Sequence, residues 1–154
     1  MALTSLEMMK AAHRTLAEYR YELRQVVHGY ANRTLYVNLA KQEISEKPVT
    51  QQMKDLFTGG RGFGLWLLWN AVNGNTHWDD PENELIIANG PISGITAYPG
   101  SGKSTIVKLS PLTGSVIDSN GGGYFDPYLK FAGWDALRDK EVHCDVPGNC
   151  LLDW

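Results

Sequence analysis

Cysteine is scarce in this chain: Cys144 and Cys150 are its two. They form no CxxC pair. Two thiols are too few for a disulfide framework, a four-thiolate iron–sulfur cluster or a structural zinc site within one chain. Charge of one sign is equally thin. Lys and Arg number 14 against 17 Asp and Glu, for a net charge of -3, and no basic run appears, so no nucleic-acid partner is expected. No apolar stretch approaches the roughly 20 residues that cross a bilayer, and no membrane partner is expected either. The opening "MALTSLEMMKAAHRTLAEYR" lacks the succession of charged, apolar and small-residue regions that marks a secretory signal. The expected location is therefore cytoplasmic, where the sequon Asn32-Arg33-Thr34 is fortuitous. Internal repeats and a second-domain boundary are also lacking.

Glycine, with 16 residues, and tryptophan, with 5, are what the chain has in quantity. Most fall between residues 59 and 148, where turns and close backbone approaches should be frequent. A hydrophobic content of 43% and a charged content of 20% over 154 residues suit one globular domain with a real core.

The helical signal is clearest over residues 5 to 27. Thr4 and Glu7 form a capping box, and Gly29 can end the helix. Leu6, Met9, His13, Leu16, Tyr19, Leu23 and Val26 or Val27 recur at helical spacing. This stripe packs either on its own domain or on another subunit, and His13 reads as a packed histidine. After Gly29 the period changes to that of strands. "RTLYVNL" alternates, "AKQE" is a turn, and "EISEKPV" is a second strand with Pro48 at its end or edge. Thr50 caps a short helix, "QQMKDLF", that stops at Gly59-Gly60. "FGLWLLWNAV" is apolar nearly all round, which predicts a buried helix with Trp66 and Trp69 in the core. Leu85 to Ala88 reads as a short buried strand, and "STIVKL" as another. "GPISG", "YPGSG", "SPLTG" and "SNGGG" read as turns. "YFDPYLKFAGW" is a last amphipathic segment, with Pro127 in its first turn and Gly133 near its end. The tail "RDKEVHCDVPGNCLLDW" has no clear period.

"AYPGSGKST" meets the relaxed phosphate-loop pattern through Ala97, Gly102, Lys103 and Ser104. Such a loop must turn a strand into a helix whose first amides face the phosphates. Here "STIVKL" runs straight into Ser110-Pro111. Proline inside a helix costs about 3 kcal/mol, and Thr105, Ile106 and Val107 favour a strand. Asp118 in "SVID" is a weak stand-in for the metal-binding aspartate. A nucleotide-hydrolysing protein is therefore rejected. Gly102 and Lys103 on a loop between strands can still hold a phosphate, by backbone amides and a point charge.

The stretches "GGRGFGLWLLWNAV", "DPENELIIANGPISG", "YPGSGKSTIVKLSPLTG" and "SNGGGYFDPYLKFAGWDAL" follow one another in that order between residues 59 and 137. Together they resemble the N-terminal domain of the aldehyde ferredoxin oxidoreductases, and "GYANRTLYVNLAKQEI" is similar to that domain's opening hairpin. The resemblance implies an α+β fold: a sheet-based domain over 29–137, incomplete, with an added amphipathic helix at 1–28 and a divergent tail at 138–154. It implies a base of two β-sheets carrying a tungsten or molybdenum bis-pterin with a bridging magnesium ion. It also implies oxidation of aldehydes to carboxylic acids, with electrons passing through a [4Fe-4S] cluster to ferredoxin. Lys103 matches a basic residue, usually Arg, that contacts a pterin phosphate. Asn120 matches the turn whose backbone lies against the magnesium. Gly121 and Gly122 let that backbone approach, Gly102 flanks the lysine, and Arg61 either joins the site or holds a turn.

The same resemblance implies absences. The chain is expected to stop within the N-terminal domain, without the cluster cysteines or the active-site acid and base. Cys144 and Cys150 match no cluster motif and read as free thiols, no catalytic residue is assigned, and no metal ligand is expected. The expected partners are the remaining domains or subunits of the oxidoreductase, ferredoxin through the complete enzyme, and copies of the chain itself. Two rivals remain: a non-catalytic assembly or binding protein derived from the domain, and a remnant without function.

Overall fold

The computed structural model describes Met8 and residues 15–140. Its elements run β1 (Arg33–Asn38), β2 (Glu43–Pro48), α1 (Gln51–Leu56), α2 (Arg61–Trp69), β3 (Leu85–Ala88), β4 (Lys103–Leu109), β5 (Val116–Gly122), α3 (Phe125–Phe131) and β6 (Ala136–Lys140). The strands form one six-stranded sheet in the order β2-β1-β6-β3-β4-β5. All neighbours are antiparallel except β1 and β6. The class is α+β, as expected, with one sheet among the described residues.

Local chemistry accounts for much of this. Thr50, in extended backbone, accepts the Met53 N–H at 3.2 Å and so starts α1. Pro48 ends β2, an edge strand where its missing donor is harmless. The β-branched run of β4 pairs Ile106 with Ile87 and Val107 with Ile86. Met53 of α1 and Phe63, Leu67 and Leu68 of α2 pack over Ile86, Ala88, Val107, Leu109 and Ala136. Gly64 lets α2 lie close to the sheet, since a Cβ there would fall 2.5 Å from Val107 Cγ2.

Four expectations are corrected. Trp69 is 81% exposed, and Trp66 is half-buried beside Phe57. A nine-residue helix on a sheet buries one face; Trp69 stands off the Phe63–Leu67 and Gly64–Leu68 rows. Second, "SNGGG" is not simply a turn, because Asn120, Gly121 and Gly122 belong to β5. Pairing with β4 supplies the strand that glycines alone would not hold. Third, β6 runs to Lys140, past the boundary expected at Leu137, because β1 and β3 clasp it on both sides.

Fourth, residues 15–26 carry no regular secondary structure. Tyr19 and Tyr21 stack at 6.1 Å, an i, i+2 contact that an extended chain makes and a helix does not. Arg33 draws this segment down. It is 2% exposed, stacks between Tyr21 and Trp134, and donates to Glu22 O at 3.0 Å. Thr4, Glu7 and His13 of the expected helix, and Cys144 and Cys150, lie outside the described residues. The segment ends in a turn between Val27 and Tyr30, with His28 and Gly29 at positive φ. A Cβ on Gly29 would strike the Pro91 carbonyl oxygen at 2.2 Å.

The motif "LKFAGWD" proves to be a buried polar knot. Asp135 accepts the N–H groups of Ala31 at 3.0 Å and Asn32 at 2.7 Å, and pairs with Lys130 Nζ. Lys130 also donates to Gly29 O at 2.9 Å, so the N-terminal turn, β1 and the α3–β6 corner are tied together.

Candidate functional site

Downstream of Gly102-Lys103-Ser104 the chain is strand β4, not a helix, so the phosphate-loop letters do not build a nucleotide site. The antiparallel register instead sets Lys103 opposite Gly122, Ser104 opposite Gly121 and Thr105 opposite Asn120. Five of the residues singled out from the sequence, Gly102, Lys103, Asn120, Gly121 and Gly122, thus share one end of the β4–β5 ladder.

The Lys103 side chain is exposed and has no hydrogen-bonding or ionic partner among the described residues. It borders a cavity of about 310 Å³ whose other walls are the Thr58–Gly60, Gly90–Ser93 and Gly100–Ser101 segments. The N-terminus of α2 opens onto the same cavity through Gly60, whose N–H is held by Asn89 O at 2.7 Å. A lysine ammonium beside the positive end of a nine-residue helix favours an anion. Asn120 is fixed by Thr105, whose hydroxyl donates to its Oδ1 at 3.3 Å. Open space surrounds the position of a Cβ on Gly122. Glycine is demanded by the backbone one residue further on, at Gly123, where φ is 106°. A Cβ on Gly102 would press on Gly123 O at 3.0 Å, so both glycines keep this corner tight.

Arg61 opens α2 and reaches across to β5, where its guanidinium pairs with Asp118 Oδ1 at 2.9 Å. It stands apart from the Lys103 end and clamps the helix start to the outer strand. On the other sheet face, Gly121 and Gly122 border a smaller cavity of about 270 Å³ with Ser104, Ile106 and Phe125.

Thr105 and Gly123 were not marked as site residues by the sequence, and Asp118 was noted there only as a weak metal-binding candidate; the strand register and the backbone φ of Gly123 show what they do instead. Titration is perturbed at several groups, one of them Asp126 beside Ser93 of the Lys103 cavity. Burial raises the Asp126 carboxyl against the opposing effects of Ser93 and Lys130. Burial, with the Glu84 carboxylate beside it, pushes Asp139 up to about 6. Burial alone lowers Lys108. Among the described residues, no three His, Cys, Asp or Glu side chains cluster to hold a metal ion, and no helix is long and apolar enough to cross a membrane.

The sheet and its glycine-rich corner define a domain class seen in large redox enzymes. The benzoyl coenzyme A reductase complex BamBC superposes with a TM-score of 0.69 at 30% identity, over 73% of this chain and 17% of that one. The family model described as "Aldehyde ferredoxin oxidoreductase, N-terminal domain" matches residues 34–139, and the chain belongs to that family. The tungsten-containing aldehyde ferredoxin oxidoreductase of Pyrococcus horikoshii is 40% identical over 109 residues, 71% of this chain and 18% of its own. The Pyrococcus furiosus enzyme of the same name is 38% identical over 111 residues, again 18% of its own length. The aliphatic sulfonate oxidoreductase WOR-like subunit of Pyrococcus furiosus is 32% identical over 114 residues, 72% of this chain and 18% of its own. The chain thus spans under a fifth of these relatives.

Proposed function

We propose that this chain is the cofactor-supporting first part of an aldehyde ferredoxin oxidoreductase, acting in the cytoplasm with the rest of that enzyme. The observation that carries the reading is the convergence of Lys103, Gly122 and Asn120 at one end of the β4–β5 ladder, beside the start of α2.

The residues present suit a pterin phosphate. Lys103 offers an uncommitted positive charge at a cavity mouth, and Gly122 leaves room for a ligand to approach the backbone. When bound, a tungsten or molybdenum bis-pterin supplies the two-electron chemistry that converts an aldehyde to a carboxylic acid. Lys103 then holds a phosphate by charge, and more loosely than an arginine fork would. Asn120, pinned by Thr105, would help hold the magnesium ion that such a cofactor carries, through its backbone. Gly102, Gly121 and Gly122 shape the ledge. Arg61 contributes by fixing β5 to α2 through Asp118. Proton transfer, the [4Fe-4S] relay and ferredoxin contact fall to the remaining part of the oxidoreductase.

Expression in an anaerobic host with that remaining part, followed by metal and pterin analysis, tests this. About one tungsten or molybdenum per complex is expected, and Lys103→Ala should lower retention about tenfold, the loss of one charge-assisted contact, while the far-ultraviolet dichroism stays unchanged. Unchanged metal content in that variant removes Lys103 from the site. A metal-free, soluble homo-oligomer would instead identify a non-catalytic assembly protein.

A further inference from the structure

The two edges of the sheet differ in a way that the cofactor corner does not explain. Edge strand β2 carries Glu43, Glu46, Lys47 and Pro48, the charges and proline by which edges are kept from pairing. Edge strand β5, "VIDSNGG", has no lysine, no proline and an unbroken seven-residue register with β4. Its one charge, Asp118, is neutralised by Arg61. In an antiparallel edge strand, alternate N–H and C=O groups point outward without a partner strand. The apolar surface continues past this edge. Val116 borders a groove of about 410 Å³ whose other walls include Phe57, Leu65, Trp66, Trp69 and Val72. Leu112, just before β5, is 91% exposed. Among the described residues nothing covers this edge, and an unprotected edge beside a continuous apolar groove marks a surface that is covered in the working state.

We infer that β5 and the Trp69 groove form the seam on which the remaining part of the oxidoreductase docks, adding an extended strand along β5 and seating apolar side chains in the groove. This rests on the family reading above. The occupant follows from size and site together. The matched relatives place 18% of their length in this domain, so the rest of each must meet it somewhere. The β5 end that carries Asn120–Gly122 is where the proposed cofactor ledge is open on its outer side. A second copy of the chain fits worse. Two-fold antiparallel pairing of β5 about Ser119 would set Val116 and Ile117 against Gly122 and Gly121, which offer no side chain to pack.

Hydrogen exchange of the isolated chain, compared with the native oxidoreductase that contains it, tests the seam. In the isolated chain the outward β5 amides should exchange freely. In the native enzyme they should slow by at least about tenfold, as newly paired amides do, with cross-links from the Leu112–Val116 region to the rest of the oxidoreductase. Val116→Lys should leave the isolated chain folded and reduce its co-purification with the rest of the enzyme. Equal exchange in the two samples overturns the inference, and so does protection accompanied by cross-links to a second copy. Metal analysis of the same native sample separates the two readings. A tungsten- or molybdenum-loaded enzyme with freely exchanging β5 sinks the seam and leaves the function standing. A protected β5 in a metal-free assembly does the reverse.

Discussion

Replacing Lys130 by methionine tests whether the knot at Asp135 holds the fold together. Asp135 is fully buried and Lys130 is 5% exposed, so neither charge has water to fall back on. Methionine keeps the apolar stem of the side chain but leaves the carboxylate with two backbone N–H donors and no cation, and frees the Gly29 carbonyl. Removing one partner of a buried pair costs about 3–5 kcal/mol, against a total stability of about 5–15 kcal/mol for a domain. With a urea m-value of about 2 kcal/mol per molar, the midpoint should fall by about 2 M. Urea unfolding followed by tryptophan fluorescence, to which buried Trp134 contributes, reads this. Asp135→Asn should also be costly, since its amide group can accept one of the two N–H bonds and must turn a donor towards the other. The double variant should lose less than the sum of the two, by about 1–3 kcal/mol of coupling. Lys130→Arg, which keeps the charge, provides a measurable variant if the methionine form does not fold. A loss below about 1 kcal/mol for Lys130→Met, the value of an exposed pair, would refute the knot as a fold-holding element.

Asp139→Asn should stabilise the chain at neutral pH. The Asp139 carboxyl is raised to about 6 in the fold, so its stabilising contribution is present below pH 4 and is lost as pH rises through 6. The variant should gain about 1 kcal/mol at pH 7 and flatten the stability profile between pH 4 and 6; an unchanged profile contradicts this. Gly64→Ala pits helix propensity, worth up to about 1 kcal/mol in favour of alanine, against a 2.5 Å clash with Val107. Overpacking of about 1–3 kcal/mol should win, and a rise in melting temperature would show that α2 moves aside. Trp69→Ser should change the stability of the isolated chain by no more than about 0.5 kcal/mol, because the ring is 81% exposed; a larger loss would mean that the ring supports the core.

Where pattern and neighbours agree, the sequence was readable. Thr50 announced α1 because an N-cap acts within four residues, and β1, β2, β3 and β4 followed from alternation or β-branched runs. The reading failed where a distant partner overrules the local signal. The stripe of Leu16, Tyr19 and Leu23 has helical spacing, yet Arg33, held by Gly133 O at 2.9 Å and by Glu46, anchors that segment outside any helix. Asn120 to Gly122 look like a turn until β4 is laid beside them. Lys103, Asn120 and the glycines came to notice through the ordered motifs that carry them, but the hold of Thr105 on Asn120 and the pairing of Asp118 with Arg61 did not, since nothing local marks a residue whose role is to hold another.

Sequence alone was enough for the family, for most of the strands and for the rejection of a nucleotide loop, because ordered motifs, alternation and Pro111 are local facts. Tertiary structure was needed to show that Lys103 and Gly122 face each other, that Lys130 and Asp135 bury their charges together, and that among the described residues one sheet edge is guarded while the other is bare. Those outcomes depend on strand order and register, which bring together residues whose separation along the chain hides them from any local pattern.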